Sequence, residues 1–126
     1  MTTILVVDDS ATSRLLFKAY MPKDAGLEIH EAEDAASALR QARALQPDLM
    51  VLDYNLPDHN GDHMMDLFQS IDQTRQIPVY VVSADARPEL IERMNKMGIA
   101  SYLTKPIDFE LLLQILDDQE QNHHTR

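Results

Sequence analysis

Asp8-Asp9, Asp53, Ser83 and Lys105 are the residues in this chain whose types and spacing could do chemistry together. Each follows a short apolar run: Ile4-Leu5-Val6-Val7, Met50-Val51-Leu52, Ile77-Pro78-Val79-Tyr80-Val81-Val82, and Ile99-Ala100-Ser101-Tyr102-Leu103-Thr104. Clustered carboxylates repel one another, so they either raise their pKa values or recruit a cation. Oxygen-only donors suit a hard ion such as Mg²⁺, with waters and phosphate oxygens completing the octahedron. A carboxylate can also act as a nucleophile and become an aspartyl-phosphate. The charge developing on a transferring phosphoryl group is stabilised by metal and by a cation such as Lys105. The Ser83 hydroxyl can donate to a phosphoryl oxygen. Taken singly, these residues have plainer roles: Asp and Ser cap helices, lysine is commonly a solvated charge, and Asn55 and Pro57 simply turn the chain. Their convergence is what would make a site.

Convergence needs a fold that brings several strand ends to one edge. Ile4 to Val7 is short and β-branched, as expected of a strand buried on both faces of a parallel sheet. Ser10 caps a helix over residues 11–21, with Leu16, Phe17, Tyr20 and Met21 on one face, and residues 22–26 break it. Leu27 to Ala32 alternates like a half-covered edge strand, and Asp34 caps an Ala-rich helix that ends before Pro47. Residues 48–53 form a central strand, and Gly61 opens a helix carrying Met64, Met65, Leu67, Phe68 and Ile71. The methionines fall at helical spacing, which suits core packing better than a soft-metal site. Pro88 and Gly98 mark the ends of a fourth helix, and Asp108 caps a leucine-rich fifth over residues 111–116. Strict alternation of strand and helix means a parallel sheet covered on both faces, with ligands bound beyond the carboxyl ends of the strands.

The 126 residues make one domain, read as 1–120 with a polar tail at 121–126, in which His123-His124 is solvated. The formal net charge of -10 argues against a nucleic-acid surface. With no cysteine, disulfides, thiolate metal sites and cysteine nucleophiles are excluded. No apolar run reaches membrane-spanning length and no basic leader precedes the first strand, so a cytoplasmic location with no membrane contact is the expectation.

From end to end, the chain resembles the receiver domain of two-component response regulators. The resemblance is carried by Val6-Val7-Asp8-Asp9-Ser10, by Leu52-Asp53-Tyr54-Asn55-Leu56-Pro57 with Gly61, by Val82-Ser83-Ala84, and by Tyr102-Leu103-Thr104-Lys105-Pro106. It implies an α/β, flavodoxin-like (βα)5 fold, doubly wound around a five-stranded parallel sheet of order 2-1-3-4-5. It implies that Asp53 is the phospho-acceptor, with Ser83 and Lys105 on the phosphoryl oxygens. By the same carry-over Asp9, Asp53 and the backbone carbonyl of Asn55 bind Mg²⁺ directly, Asp8 acts mainly through water, and Lys105-Pro106 is cis. Ser83 and Tyr102 become the switch, which repacks the fourth helix, fifth strand and fifth helix for a downstream partner or output domain. Upstream stands a histidine kinase or histidine phosphotransfer protein, and homodimerisation is left open. No catalysis is implied beyond the domain's own phosphotransfer and autodephosphorylation, and no cofactor besides Mg²⁺. Asn55 and Asp85 would tune the lifetime of the phosphoryl group.

Three other readings compete. A haloacid-dehalogenase-like phosphatase needs an Asp-x-Asp nucleophile after the first strand and room for a cap domain, and here Asp8-Asp9 is adjacent. A flavodoxin-type flavin binder needs a hydroxyl- and amide-rich loop where this chain carries two carboxylates. The third is a receiver-like interaction module that keeps the pocket but signals without phosphorylation.

Overall fold

Alternation along the strands sorts their side chains onto two faces, and helices cover both. The structure, a computed structural model, describes residues 2–23 and 26–124, with side chains through Asp118. Asp24 and Ala25 of the expected break, residues 125–126 of the tail and the His123-His124 side chains lie outside the described residues. The elements run β1 (Thr2–Val7), α1 (Ala11–Tyr20), β2 (Leu27–Ala32), α2 (Ala35–Leu45), β3 (Leu49–Asp53), α3 (Gly61–Ser70), β4 (Val79–Ser83), α4 (Pro88–Lys96), β5 (Ser101–Thr104) and α5 (Phe109–His124). The sheet is parallel throughout, in the order β2-β1-β3-β4-β5, as the resemblance implies. Among the described residues, no helix is long and apolar enough to cross a membrane.

Leu5, Val7, Met50, Leu52, Val79 and Val81 face a core shared with α2, α3 and α4. Ile4, Val6, Leu49, Val51, Tyr80 and Val82 point the other way, onto Phe17 of α1 and Leu112 and Leu116 of α5. Burying each such side chain contributes about 1.5–3 kcal/mol, which is why β3 and β4 are buried at every residue. Alanines 35, 38 and 42 are the buried face of α2, small enough to bring that helix close to the sheet.

Local signals set most boundaries. Ser10 Oγ accepts from Ser13 N, and Asp34 and Ser37 form a reciprocal capping box at α2. Asp108 Oδ1 accepts from Leu111 N at α5. Gly98 follows α4 at a φ of +93°, open to glycine without penalty. Three expectations shift. Phe17 of α1 and Met21, which caps its end, are buried, but Leu16 and Tyr20 are 50% and 59% exposed. Residues 17 and 21 lie four apart and meet the sheet, while 16 and 20 sit a step of about 100° around the helix. The Tyr20 ring stacks instead on Phe109, centroids 4.5 Å apart. Next, β4 begins after Pro78, which has no N–H for the ladder, although its carbonyl accepts from Met50 N at 2.9 Å. Finally, α5 continues to His124, well beyond its leucines.

Gly61, the first residue of α3, is buried under Tyr54, and a Cβ there would stand 2.5 Å from Tyr54 Cδ2 and 3.4 Å from Met94 Cε. Gly61→Ala should therefore destabilise the domain by about 1–3 kcal/mol in urea denaturation. The same substitution placed in a Tyr54→Ala background should cost less than half as much. An equal cost in both backgrounds would refute the steric account.

Candidate functional site

The order β2-β1-β3 places the reversal of winding between β1 and β3, and both strands end there in carboxylates. Asp53 continues the strand row of Leu49 and Val51, so it starts from the buried face and emerges only at the sheet edge. Asp8 and Asp53 are 9% and 7% exposed, while Asp9 is exposed to solvent. One oxygen from each of Asp8, Asp9 and Asp53 lies within 4.8 Å of the others. Mg²⁺ takes oxygen donors at about 2.0–2.1 Å, so carboxylates this close could share one ion, directly or through a bound water. The donor chemistry and the spacing both fit a hard divalent cation.

The remaining expected residues come to the same edge. Lys105 follows β5 and reaches past β4 to the end of β3, its Nζ 3.3 Å from Asp53 Oδ2. The Lys105 N–H donates to the Ser83 carbonyl at 2.8 Å, and the Lys105-Pro106 bond is cis, as expected. Ser83 is 1% exposed, and its Oγ accepts from the Asp85 N–H at 3.1 Å, leaving its own proton for donation. Asn55 N donates to Asp53 Oδ1 at 3.1 Å, and Asn55 bridges to Asn60 to close the β3–α3 loop. Tyr102 is half-buried, and its hydroxyl donates to the Asp85 carbonyl at 2.6 Å. His59 is exposed in its loop, edge-on to His63 at 5.6 Å.

Burial pushes the Asp53 carboxyl above the ordinary range. The Asn55 N–H and the Lys105 ammonium oppose that, and the Asp8 charge adds to it. The balance leaves a carboxylate that is costly to ionise and only partly compensated.

Several residues of the site escaped the sequence reading. Asp58 Oδ1 and Oδ2 accept from Ala35 N and Ala36 N at 2.8 and 3.2 Å, which pins the loop after Asp53 to the start of α2. The Tyr54 hydroxyl donates to Asp62 Oδ1 at 2.7 Å, and Arg93 Nε donates to Asp62 Oδ2 at 2.8 Å. These bonds tie the residue after Asp53 to both α3 and α4. Arg14 Nη1 donates to the Asp8 carbonyl at 2.6 Å, and its Nε to Glu31 Oε1 at 3.0 Å. No spacing rule flags these partners, because each pair joins different elements. Only Asp58, an acidic residue in a loop, had a type that hinted at a cap.

Because its carboxyl is raised by folding, the ionised form of Asp53 subtracts stability. That loss is absent below the unfolded carboxylate value and grows as pH rises through the raised folded value. Asp53→Asn should therefore raise the melting temperature at pH 7 by a few degrees, with the gain closing as pH falls toward 4. A gain that persisted unchanged at pH 4 would contradict this.

Residues 4–117 match the family model of the response regulator receiver domain. Protein PilH of Pseudomonas aeruginosa is 31% identical over 117 residues, covering 93% of this chain and 96% of PilH. A protein-glutamate methylesterase/protein-glutamine glutaminase of Caulobacter vibrioides is 36% identical over 108 residues. That match covers 83% of this chain but only 30% of the larger protein's length. The chemotaxis response regulator CheY4 of Vibrio cholerae superposes with a TM-score of 0.83 at 28% identity, over 94% of this chain and 98% of that one. With the strand order, the acidic edge and a family match over nearly the whole length in agreement, this chain belongs to the response regulator receiver domains of two-component signalling.

Proposed function

We propose that Asp53 accepts a phosphoryl group from a phosphohistidine of a histidine kinase or histidine phosphotransfer protein. The observation that carries the reading is Asp53 itself, a buried carboxylate at a strand end with Lys105 Nζ at 3.3 Å and two further carboxylates beside it. An Asp53 oxygen forms the bond to phosphorus while the P–N bond breaks, and its electron pair returns to the imidazole nitrogen. Asp9, Asp53 and the Asn55 carbonyl would hold Mg²⁺, with Asp8 acting through water; when bound, the ion supplies positive charge against the phosphoryl oxygens. Lys105 balances the charge on the opposite side, and the Ser83 proton is available to a phosphoryl oxygen. Loss of the group by the domain's own hydrolysis would complete the cycle, at a rate that Asn55 and Asp85 would tune.

Asp85 links the two proposed switch residues. Its N–H is held by Ser83 and its C=O by Tyr102. If Ser83 turns toward the phosphoryl group, the Asp85 N–H loses its acceptor, and the loop that anchors Tyr102 is free to shift. Phosphorylation thereby biases an equilibrium between two arrangements of α4, β5 and α5, the face offered to a downstream partner or output domain. The shallow apolar depression lined by Pro88, Ile91, Glu92, Asn95 and Lys96 on α4 supports that choice of face.

Incubation with a small-molecule phosphodonor should add one phosphoryl group by intact mass. The labelled fraction should fall at least roughly tenfold when Mg²⁺ is chelated, and be absent in Asp53→Asn. Failure of wild type to gain mass, with Mg²⁺ bound normally, would leave the phosphorylation-independent module as the better reading. Ser83→Ala should still be labelled, but its Tyr102 ring resonances should no longer shift on labelling. Shifts equal to wild type would remove Ser83 from the switch.

A further inference from the structure

Asp8 is held at three points. Its N–H donates to the Ala32 carbonyl at 3.0 Å, its Oδ1 accepts from Ser10 N at 2.9 Å, and its C=O accepts from Arg14 Nη1 at 2.6 Å. The first two are local or belong to the sheet; the third comes from a side chain on α1 that is 15% exposed. Arg14 is itself locked. Glu31 Oε1 takes its Nε at 3.0 Å, while Glu31 Oε2 takes Lys18 Nζ at 2.8 Å. The Glu31 carbonyl accepts from Gln41 Nε2 at 2.6 Å, so α1 and α2 both hold Glu31 of β2, the residue that locks the guanidinium. The Lys18 hydrogen bond lowers the Glu31 carboxyl more than burial raises it, and Arg14 lowers it further, so the anchor is ionised at neutral pH.

Charge alone gives no reason for this arrangement. A guanidinium beside an acidic pocket opposes a second cation there, and Arg14 directs its donors at a backbone carbonyl and Glu31, not at the pocket carboxylates. We propose that Arg14 is a positioning residue for the acidic pocket: locked by Glu31, its guanidinium holds the Asp8 carbonyl and sets the Asp8-Asp9 turn to receive a divalent cation. The inference rests on the metal-binding part of the proposed function. It adds a residue that touches neither metal nor phosphoryl group. The planar fork is essential, because an ammonium cannot hold the same two acceptors in the same fixed geometry.

Positioning and electrostatics predict opposite signs. Removing a nearby positive charge should tighten Mg²⁺ binding, whereas losing the turn's anchor should weaken it. Calorimetric titration with Mg²⁺ is expected to show Arg14→Gln weakened about tenfold. Arg14→Lys should be weakened as well, despite its retained charge, and Glu31→Gln should move in the same direction by less. Lys18→Gln, which loses a contact to Glu31 but none to Asp8, should bind as wild type does. Amide exchange over residues 8–10 should quicken in Arg14→Gln with circular dichroism unchanged. Affinity in a folded Arg14→Gln that equals or exceeds wild type would overturn the inference and leave the phospho-acceptor reading standing. If Arg14→Gln does not fold, unchanged affinity in Glu31→Gln overturns it instead. Wild type that binds no Mg²⁺ would bring down both.

Discussion

The charge of Asp53 is the constraint on which this sheet edge depends. The strand that delivers it is buried at every residue, and a carboxylate taken out of water loses far more solvation than one salt bridge restores. Lys105 and the Asn55 N–H return part of that loss, and the neighbouring Asp8 charge takes some away again. The outcome is a carboxyl held above its ordinary range, chiefly by burial. Burial, a neighbouring carboxylate and a single lysine thus meet at one oxygen pair, which is the physical basis for the phospho-acceptor reading proposed for Asp53.

Holding carboxylates in mutual repulsion requires rigid loops, and each loop at this edge is tied to an element it does not belong to. The β1–α1 turn is held by Arg14 through Asp8 and by the sheet through Ala32. The β3–α3 loop is held by Asp58, which satisfies two otherwise orphan N–H groups at the start of α2. The β4–α4 loop is held at Asp85 by Ser83 on one side and Tyr102 on the other. The last of these is tied to β4 and β5 by neutral hydroxyls, with an Asp85–Arg87 ion pair inside the loop, whereas the first two reach other elements through charged groups. Charge-assisted bonds are about twice as strong as neutral ones, so the ties from this loop to β4 and β5 are the weaker of the three sets.

The residue after Asp53 carries a different kind of constraint. Tyr54 lies over Gly61 so closely that a methyl group could not come between them, and its hydroxyl is fixed by Asp62 and Arg93. One aromatic side chain therefore joins the site to two helices through packing and hydrogen bonding together. Gly61 is needed at that position for the space it leaves, not for its backbone freedom.

Much of this protein was legible in its sequence. Short apolar runs ending in Asp8, Asp53, Ser83 and Lys105, separated by capped helices, determined a parallel sheet and the edge at which those residues would meet. That information is local: side-chain alternation, caps and breakers act over a few residues and leave their mark at fixed spacing. The strand order and the cis Lys105-Pro106 bond were reached through family resemblance, because neither has a signature in spacing. The tertiary structure alone decided which face of α1 would be buried, so Leu16 and Tyr20 stand exposed beside a buried Phe17. It alone brought Arg14 to Asp8 and Glu31, Asp58 to the α2 N-terminus, and Arg93 to Tyr54 and Asp62. Most of these pairings span 17 to 39 residues of chain between elements that meet only after the sheet is wound. A side chain's partner across such a gap is set by the geometry of packing, and no periodicity in the sequence encodes it.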